Sequence, residues 1–403
     1  MTRRILISGA SIAGPVTAYW LAKSGFDVTI VERAPSLRLG GQNIDITDAA
    51  RDVIRMMGLE EKIRAHHTGE KGLQFVNSAD KARANFPVKA RGSMTREIEI
   101  LRGDLAQLLV DETADNVTYR FADSIEALED TGDEVHVTFE SGLLETFDIV
   151  IAADGMNSST RKLIIGDDNS DEYIGCWSSY FTIPRTAKDN DWWRWYTSPT
   201  GVVAFLRPDN QGTMRASVNF LSEDSEARRM SLDEKRQIIR KRLSGAGWES
   251  ERIAAALDDV DDIFLGPLSQ IKAGTWHNGR MALVGDAAHC PTPYTGMGTT
   301  LAILGSYILA QELASHEKHE DAFRAYEAKF RPFVEQAQKL PPGVPSAAYA
   351  RSKLKASLIN TGAAIAASKP VQTLISIFSR GAKDENKFAL PDYMSNWSSQ
   401  LGA

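Results

Sequence analysis

The first structural signal in the chain reads Arg4-Ile-Leu-Ile-Ser-Gly-Ala-Ser-Ile-Ala-Gly14. Its apolar run from Ile5 to Ile7 predicts a strand that is covered on both faces, as strands of a parallel sheet are. A turn with glycine follows, and apolar residues at helical spacing predict a helix over Pro15–Ser24. Asp27–Glu32 is predicted to be a second strand. Strand, turn, helix and strand in this order predict one half of a doubly wound α/β sheet.

The turn after the first strand has the composition of a pyrophosphate-binding loop. Gly9 and Gly14 permit a tight turn and close helix packing, and Ser11 is small enough to let a phosphate approach the backbone. The helix that follows supplies N–H groups and positive potential at its N-terminus. Glu32 ends the second strand, where a carboxylate can accept hydrogen bonds from a ribose. The spacing predicts nucleotide binding, and the alternative is a fortuitous glycine turn.

Composition and charge exclude several classes of protein. Hydrophobic residues make up 43% and charged residues 25% of the 403 residues, which is a globular composition and neither a collagen-like nor a disordered one. Acidic residues outnumber basic ones, 53 to 46, so we expect no nucleic-acid partner. Two cysteines are too few for a disulfide scaffold or a four-cysteine zinc site. Signal-peptide patterns and uninterrupted apolar spans of about 20 residues are missing, so we expect a cytoplasmic protein without stable membrane insertion.

The pattern of a buried strand returns at Phe147–Ala152 and at Arg280–Gly285. Between the buried strands lie segments with turn signals and alternating apolar residues, which predict antiparallel strands. The segments Val117–Phe121, Ser124–Glu129 and Glu134–Phe139 are predicted to form an antiparallel meander. The sequence therefore predicts two kinds of sheet in one chain.

The expected fold class is α/β, with a Rossmann-like domain interrupted by a second, mainly antiparallel β-sheet domain. A C-terminal helical segment follows, in which Pro332 is predicted to break a helix. The expected boundaries are 1–69, 102–172 and 267–335 for the first domain, 70–101 and 173–266 for the second, and 336–403 for the C-terminal segment.

A carboxylate follows each of the two later buried strands. Asp154 comes after Phe147–Ala152, and Asp286 comes after Arg280–Gly285. Both are expected at the carboxyl ends of sheet strands, where open α/β sheets bind ligands. Taken alone, either carboxylate could equally be a turn residue.

Three motifs in sequence order carry a resemblance to a known family. They are Gly9-x-Ser-x-x-Gly14 with Glu32, then Ala153-Asp-Gly-Met-Asn-Ser-Ser-Thr-Arg161, then Gly285-Asp-Ala-Ala-His-Cys-Pro-Thr-Pro-Tyr-Thr-Gly-Met-Gly298. Together they resemble the class A flavoprotein monooxygenases of the para-hydroxybenzoate hydroxylase type, and most closely the tetracycline-inactivating branch. The resemblance spans roughly Arg3 to Phe333.

The resemblance implies an FAD-dependent enzyme with NADPH or NADH as electron donor. O2 would add to flavin C4a as a hydroperoxide, whose distal oxygen hydroxylates an aromatic, phenolic or polycyclic small molecule, with tetracycline-like compounds among the candidates. The cofactor supplies the chemistry, so neither a catalytic side chain nor a metal is expected. The alternatives are an FAD reductase or epoxidase on the same fold and a non-catalytic flavin- or ligand-binding protein. The oligomeric state stays open.

The cofactor contacts that the resemblance implies come from all three motifs and from the segments between them. Arg38 is expected near the nicotinamide cofactor, Asp45 and Arg102 on FAD, and Asp286 on the ribityl chain. The loop 291–298 opens a long helix, so its N–H groups can stabilise negative charge on the reduced flavin. The full set is Gly9, Ser11, Ile12, Ala13, Gly14, Glu32, Arg33, Arg38, Asp45, Arg102, Asp154, Asp286, Gly296, Met297, Gly298 and Thr299.

Aromatic residues concentrate in the strand-rich block 177–220. Because neighbouring strand residues face opposite sides, only about half of them can line a cavity. The expected substrate contacts are Tyr294 in the third motif, Phe205, Arg194 and Arg215. Each of the two arginines could equally be a surface cation. His289, also in the third motif, is expected to be structural.

Overall fold

The elements of the fold are taken from a computed structural model that describes residues 2–88, 98–226, 229–371 and 388–393. Within these ranges the strands are β1 (Arg4–Ser8), β2 (Asp27–Glu32), β3 (Asn43–Asp45), β4 (Gly72–Val76), β5 (Ala82–Pro87), β6 (Glu99–Leu101), β7 (Val117–Phe121), β8 (Ile125–Asp130), β9 (Val135–Phe139), β10 (Leu144–Phe147), β11 (Ile149–Ala152), β12 (Asn169–Pro184), β13 (Trp193–Thr197), β14 (Val202–Pro208), β15 (Thr213–Leu221), β16 (Phe264–Ala273), β17 (His277–Asn278) and β18 (Met281–Leu283). The α-helices are α1 (Ala13–Lys23), α2 (Asp48–Met56), α3 (Glu60–Ala65), α4 (Arg102–Thr113), α5 (Ser159–Ile165), α6 (Leu232–Leu243), α7 (Ser250–Ala256), α8 (Asp286–His289), α9 (Gly298–Ser315), α10 (His319–Ala337) and α11 (Lys353–Ala367).

The mainly parallel sheet has the strand order β17-β18-β11-β1-β2-β7. Strand β1 pairs in parallel with β11 on one side and with β2 on the other. Ile5, Leu6 and Ile7 are completely buried, as the continuous apolar run predicts. Side chains of α1, α4, α9 and α10 belong to the same hydrophobic core. The predicted α/β fold class, which includes a mainly parallel sheet and a second, mainly antiparallel one, is confirmed.

Two predictions about local structure are wrong. Val117–Phe121 does not join the meander, because β7 pairs in parallel with β2 at the edge of the parallel sheet, whereas β8, β9 and β10 form an antiparallel sheet of their own. An edge strand is half exposed, so its residues alternate like those of an antiparallel strand. Pro332 does not break a helix but lies inside α10. It is exposed, so water can satisfy the carbonyl of Ala328 that loses its helical partner.

The seven-stranded sheet has the order β16-β12-β15-β14-β13-β4-β5 and is antiparallel except between β13 and β4. One of its faces packs against α6 and α7 through residues such as Trp177 and Leu206. The opposite face presents Trp193, Trp195 and Phe205, and we call it the aromatic face. The aromatic residues of this sheet thus divide between two faces, as strand alternation requires.

The chain after α10 contacts both sheets. Helix α11 packs its Ala363 and Ala366 against the seven-stranded sheet beside Phe86. Residues 388–393 return to the parallel sheet, where the Phe388 ring meets Phe330 at a centroid distance of 5.6 Å. The helical character expected for the rest of 336–403 falls partly on 372–387 and 394–403, outside the described residues. Within the described ranges, no helix has both the length and the apolar character to cross a membrane.

Candidate active site

The three sequence motifs meet at the carboxyl ends of β1, β11 and β18. Gly9 has a φ of +108°, and a Cβ atom there would lie 2.5 Å from the carbonyl oxygen of Ala153 in the second motif. A Cβ on Gly14 would lie 1.9 Å from the Gly9 carbonyl oxygen, and one on Gly285 would lie 2.8 Å from Cβ of Ala13. Only glycine fits at these three positions. The backbone therefore comes close enough there to bring the three motifs together around the glycine turn.

The Glu32 carboxylate lies next to the glycine turn. Its Oε2 accepts a hydrogen bond from the backbone N–H of Ala10 and its Oε1 accepts one from Ala34, both at 3.0 Å. Glu32 is buried, whereas Arg33 beside it is exposed. The position fits a carboxylate that holds a ribose at the end of β2.

Arg102 joins the glycine turn to the loop that follows β2. Its Nη1 donates to Oγ of Ser11 at 3.1 Å, and its Nη2 donates to the carbonyl oxygens of Arg38, at 2.9 Å, and Gly40. Burial and, to a smaller extent, the nearby charge of Arg38 lower the pKa of this guanidinium, which Asp262 and Glu32 counteract. A cation thus lies beside the turn where a pyrophosphate would bring negative charge.

The Asp154 carboxylate is occupied within its own loop. It accepts hydrogen bonds from the hydroxyl of Ser158 and from the backbone N–H and hydroxyl of Thr160, at 3.2 and 3.0 Å. These contacts organise the start of α5, which is the turn role considered above. From the same motif, Arg161 donates to the carbonyl oxygen of Ala287 at 3.0 Å and so ties the second motif to the third. The cofactor contact of Asp154 stays a prediction.

Asp286 is the first residue of α8 and is partly buried. Burial raises the pKa of its carboxyl to about 6. Further along the loop, Thr292 has a φ of +68°, and its buried hydroxyl has no hydrogen-bond partner. Gly296 is also left-handed and leads through Met297 into α9, which begins at Gly298. The loop that leads into α9 is thus strained and contains a buried hydroxyl without a partner. Such a loop before a helix N-terminus fits a ligand ring that carries negative charge.

The buried His289 agrees with a structural role. Its ring packs between Trp276 and Phe330, at centroid distances of 4.9 and 5.5 Å. Burial lowers its pKa to about 3, so the ring is neutral at physiological pH.

Tyr294 points from this loop toward the seven-stranded sheet. Its hydroxyl is 2.8 Å from that of Tyr349, and the thiol of Cys176 is 3.9 Å from the Tyr294 oxygen. The Tyr294 ring packs on a buried cluster that also borders Trp195 of the aromatic face. Thr299 is buried at the start of α9, and the neighbouring Thr300 is bonded to Thr47 at 2.9 Å.

Phe205 lies on the aromatic face, where it stacks on Trp195 at a centroid distance of 5.6 Å. Arg215 lies on the wall of a cleft of about 480 Å³ between this sheet and Gly40 and Gly41. Its guanidinium is already bonded to Thr182 and Gln211, at 2.6 and 2.8 Å. The structure therefore places both residues on the side of the sheet that faces the cofactor loops.

For Arg194 the expectation is wrong in both of its forms. The side chain is completely buried, so it is no surface cation. It forms ion pairs with Asp80, at 2.8 Å, and with Asp189, and it lies over the ring of Trp248. Strand alternation explains the error, because Trp193 and Trp195 occupy the aromatic face and force the residue between them to the other side.

Sequence reasoning missed Arg207 and Tyr349. Arg207 is a single cation in the otherwise apolar strand β14, and this composition was the available signal. Tyr349 belongs to the segment after α10, and nothing in the sequence indicates that its hydroxyl reaches Tyr294.

The amino-acid sequence matches a known family. Residues 2–340 match the family described as FAD binding domain, and the chain belongs to that family. The FAD-dependent monooxygenase asL4 of Sarocladium schorii is 35% identical over 365 residues, covering 83% of this chain and 85% of the relative. A flavin-dependent monooxygenase of Legionella longbeachae serogroup 1 (strain NSW150) is 34% identical over 342 residues, covering 83% and 87%. The chain is a flavin-dependent monooxygenase.

Solved structures agree with this assignment. The tetracycline destructase Tet(55) superposes with a TM-score of 0.80 at 31% identity, covering 97% of this chain and 99% of that one. HpxO from Klebsiella pneumoniae, complexed with FAD and uric acid, has a TM-score of 0.73 at 19% identity and covers 93% and 95%. The second likeness concerns the fold alone.

Proposed function

We propose that this monooxygenase uses NADPH or NADH together with O2 to hydroxylate an aromatic, phenolic or polycyclic small molecule, tetracycline-like compounds included. The observation that carries the proposal is the position of the loop around Tyr294, which packs on the same buried cluster as Trp195 of the aromatic face. A flat apolar molecule that binds between this loop and this face would contact both. The name of the similar tetracycline destructase supports a polycyclic substrate.

The residues of the parallel sheet would hold the cofactor. Glu32 would bind the adenosine ribose, and the turn from Gly9 to Gly14 would bind the pyrophosphate with its N–H groups. Arg102 would balance the phosphate charge, and Asp286 would accept hydrogen bonds from the ribityl chain. When bound, FAD supplies the electron transfer and the oxygen chemistry.

The backbone at the start of α9 and the aromatic face would then control the reaction. The N–H groups of Gly298 and Thr299 would stabilise negative charge on the reduced flavin, as a helix N-terminus does. Tyr294 and Phe205 would bind the substrate ring and exclude water, and Arg215 would orient a phenolate or enolate oxygen. Exposed Arg38, next to the cleft at Gly40, would bind the nicotinamide cofactor.

The two sheets belong to parts of the chain for which we propose different roles. We propose that the parts 1–69, 102–172 and 267–335 bind FAD and that 70–101 and 173–266 bind substrate, along the boundaries expected from the sequence. Residues 336–371 and 388–393, which contact both sheets, would join the two.

The decisive experiment is a screen of the purified flavoprotein for substrate-stimulated oxidation of NADPH and NADH. The panel contains phenols, polyketides and tetracyclines, and products are analysed by mass spectrometry. We expect at least one compound to accelerate oxidation and to gain a hydroxyl group on carbon, which NMR of the product distinguishes from an epoxide of the same mass. If NADPH or NADH is oxidised and the compound is reduced, the reductase is favoured. If the compound becomes an epoxide, the epoxidase is favoured. Bound FAD without turnover on any compound would favour the binding protein.

A further inference from the structure

A buried ion cluster lies between the cofactor loops and the seven-stranded sheet. Arg207 donates from Nε to Oε2 of Glu70 at 2.8 Å and from Nη2 to Oε1 of Glu70 at 3.1 Å. The same Nη2 donates to Oε1 of Glu99 at 2.5 Å. All three side chains are more than 90% buried, and the hydroxyl of Thr68 also donates to Oε2 of Glu99. We call these residues the Arg207 cluster.

The Arg207 cluster connects elements that are distant in sequence. Arg207 lies on β14, and Glu70 lies just before β4 of the same sheet, whereas Glu99 lies on β6, which pairs only with β3 among the described strands. Glu99 Oε1 also accepts from the amide of Asn43 on β3 at 2.8 Å, and this amide donates to the Pro208 carbonyl oxygen at 3.0 Å. The β3–β6 pair is thus bonded to the seven-stranded sheet through these side chains.

The β3–β6 pair contains one of the expected FAD contacts and is followed directly by another. Asp45 lies directly opposite Glu99 in the strand register. Arg102 follows β6 immediately and begins α4. A displacement of Glu99 would therefore move both residues relative to the glycine turn.

The charges of the cluster make its arginine difficult to replace. Burial lowers the pKa of the Arg207 guanidinium, but the nearby acidic groups of Glu70, Glu99 and Asp45 outweigh burial and raise it. Arg215 lies opposite Arg207 on β15 but is paired with Asp209 at 3.1 Å. Loss of Arg207 would leave the buried carboxyl groups of Glu70 and Glu99 without their common donor, and the short β3–β6 pair is the element that this loss would displace.

We propose that Arg207 is a positioning residue, which acts through Glu99 to hold Asp45 and Arg102 in the geometry that binds FAD. Its guanidinium also lies 4.2 Å from the ring centre of Trp193, so it contacts the aromatic face as well. The proposal rests on the proposed function for the roles of Asp45 and Arg102. Arg207 itself need not touch the cofactor or the substrate.

Arg194 provides a matched control. It too is a buried arginine with two carboxylate partners in the seven-stranded sheet, but its partners Asp80 and Asp189 belong to loops of that sheet. The test variant combines Arg207→Met with Glu70→Gln, and the control combines Arg194→Met with Asp80→Asn. Each removes one guanidinium and one of its carboxyl partners and leaves the other carboxyl partner in place.

The measurements are the Kd of each apoprotein for FAD, its urea midpoint, and the visible circular dichroism of the bound flavin. We expect both variants to lose stability, and only the Arg207 variant to lose about tenfold or more in FAD affinity and to change the flavin spectrum. Equal FAD affinity in the two variants would overturn the proposal.

If the Arg207 variant does not fold, Glu99→Gln provides the second test. The amide keeps an acceptor for Asn43 and removes the charge that Arg207 holds. We expect weaker FAD binding than in the wild type, and unchanged affinity with an unchanged flavin spectrum would overturn the proposal. A wild-type protein that binds FAD but oxygenates no compound would contradict the proposed substrate class and leave this inference standing.

Discussion

At the scale of single residues, Asp286 offers the most direct test of the cofactor site. Its carboxyl has a pKa raised to about 6 by burial, so it is mainly ionised at neutral pH. Replacement of a charged hydrogen-bond partner typically costs about 1.5–3 kcal/mol, or about 10- to 150-fold in affinity. We expect Asp286→Ala to weaken FAD binding by this amount, measured by titration of the apoprotein.

The pH dependence of FAD binding provides a further test of Asp286. Below pH 6 the wild-type carboxyl becomes protonated, which removes an acceptor for the ribityl hydroxyls, so FAD affinity should fall as the pH is lowered. Asp286→Asn cannot titrate and should show no such fall. Full, tightly held flavin in Asp286→Ala would contradict the assignment.

Arg38 is a second residue whose role can be isolated. Only its backbone carbonyl contacts Arg102, whereas its side chain is exposed. Arg38→Ala should therefore leave FAD content nearly unchanged and raise the concentration of NADPH or NADH needed for flavin reduction. Flavin absorbance of the purified variant and stopped-flow reduction kinetics measure the two effects. Exposed Arg83 on β5, which is not among the expected cofactor contacts, is the control, and equal effects in the two variants would identify a general loss of surface charge.

At the scale of elements, the loop between α8 and α9 links three parts of the molecule. Tyr294 belongs to this loop and contacts both Cys176 of β12 and Tyr349 of the chain after α10. Burial raises the pKa of the Tyr294 phenol far above its ordinary value, so the group stays protonated and can donate a hydrogen bond. The loop is therefore fixed to the sheet that is expected to bind substrate.

We expect Tyr294→Ala to weaken substrate binding while FAD is retained. With the ring gone, water reaches the reaction site more easily, and more NADPH should end as hydrogen peroxide instead of product. Peroxide yield and substrate Kd measure the two effects. Tyr294→Phe keeps the ring and should preserve more of the coupling than Tyr294→Ala. Unchanged coupling in Tyr294→Ala would place the substrate elsewhere.

The elements also show which inferences a sequence supports. The unit β1–α1–β2 is predictable because its strand pattern, glycine turn and terminal acid all lie within 35 residues of the N-terminus. The pattern of β7 predicts the wrong sheet, since partial exposure gives this edge strand the alternation of an antiparallel strand. Alternation could have excluded Arg194, because it lies between two tryptophans of the aromatic face.

The partners in the site were harder to predict than its motifs. Arg207 binds residues 137 and 108 positions away in the chain, and no local pattern encodes such a pairing. Tyr294 is expected from the sequence to contact substrate, but its hydrogen bond to Tyr349 depends on how the chain returns after α10. The sequence thus indicates which residue types build the site and leaves their long-range contacts open.

At the scale of the whole molecule, Glu70 predicts how stability varies with pH. Burial and the neighbouring Glu99 raise its pKa to about 8, although Arg207 opposes them. The folded protein therefore keeps a proton on Glu70 that the unfolded chain releases near pH 4.5. Between about pH 4.5 and 8 the unfolded state binds fewer protons, so this residue makes the free energy of unfolding fall as pH rises.

Glu70→Gln should remove this contribution. Urea unfolding of the wild type and the variant at about pH 5, 7 and 8.5 should show a difference that shifts in favour of the variant as pH rises. Glu172→Gln, at an exposed ion pair with Lys272, is the control and should give parallel curves. A constant difference between wild type and Glu70→Gln would mean that Glu70 is ionised throughout.

The aromatic face also has an optical consequence. Trp193 and Trp195 lie with ring centroids 5.6 Å apart on the side of the sheet that faces the cofactor loops. Indole emission overlaps the absorption of oxidised flavin, so addition of FAD to the apoprotein should quench the tryptophan fluorescence. A ring that stacks on this face should change the remaining emission in a second step, which Trp195→Phe should diminish. The same indoles could thus serve as a label-free signal for ligand discovery, before any turnover is detected.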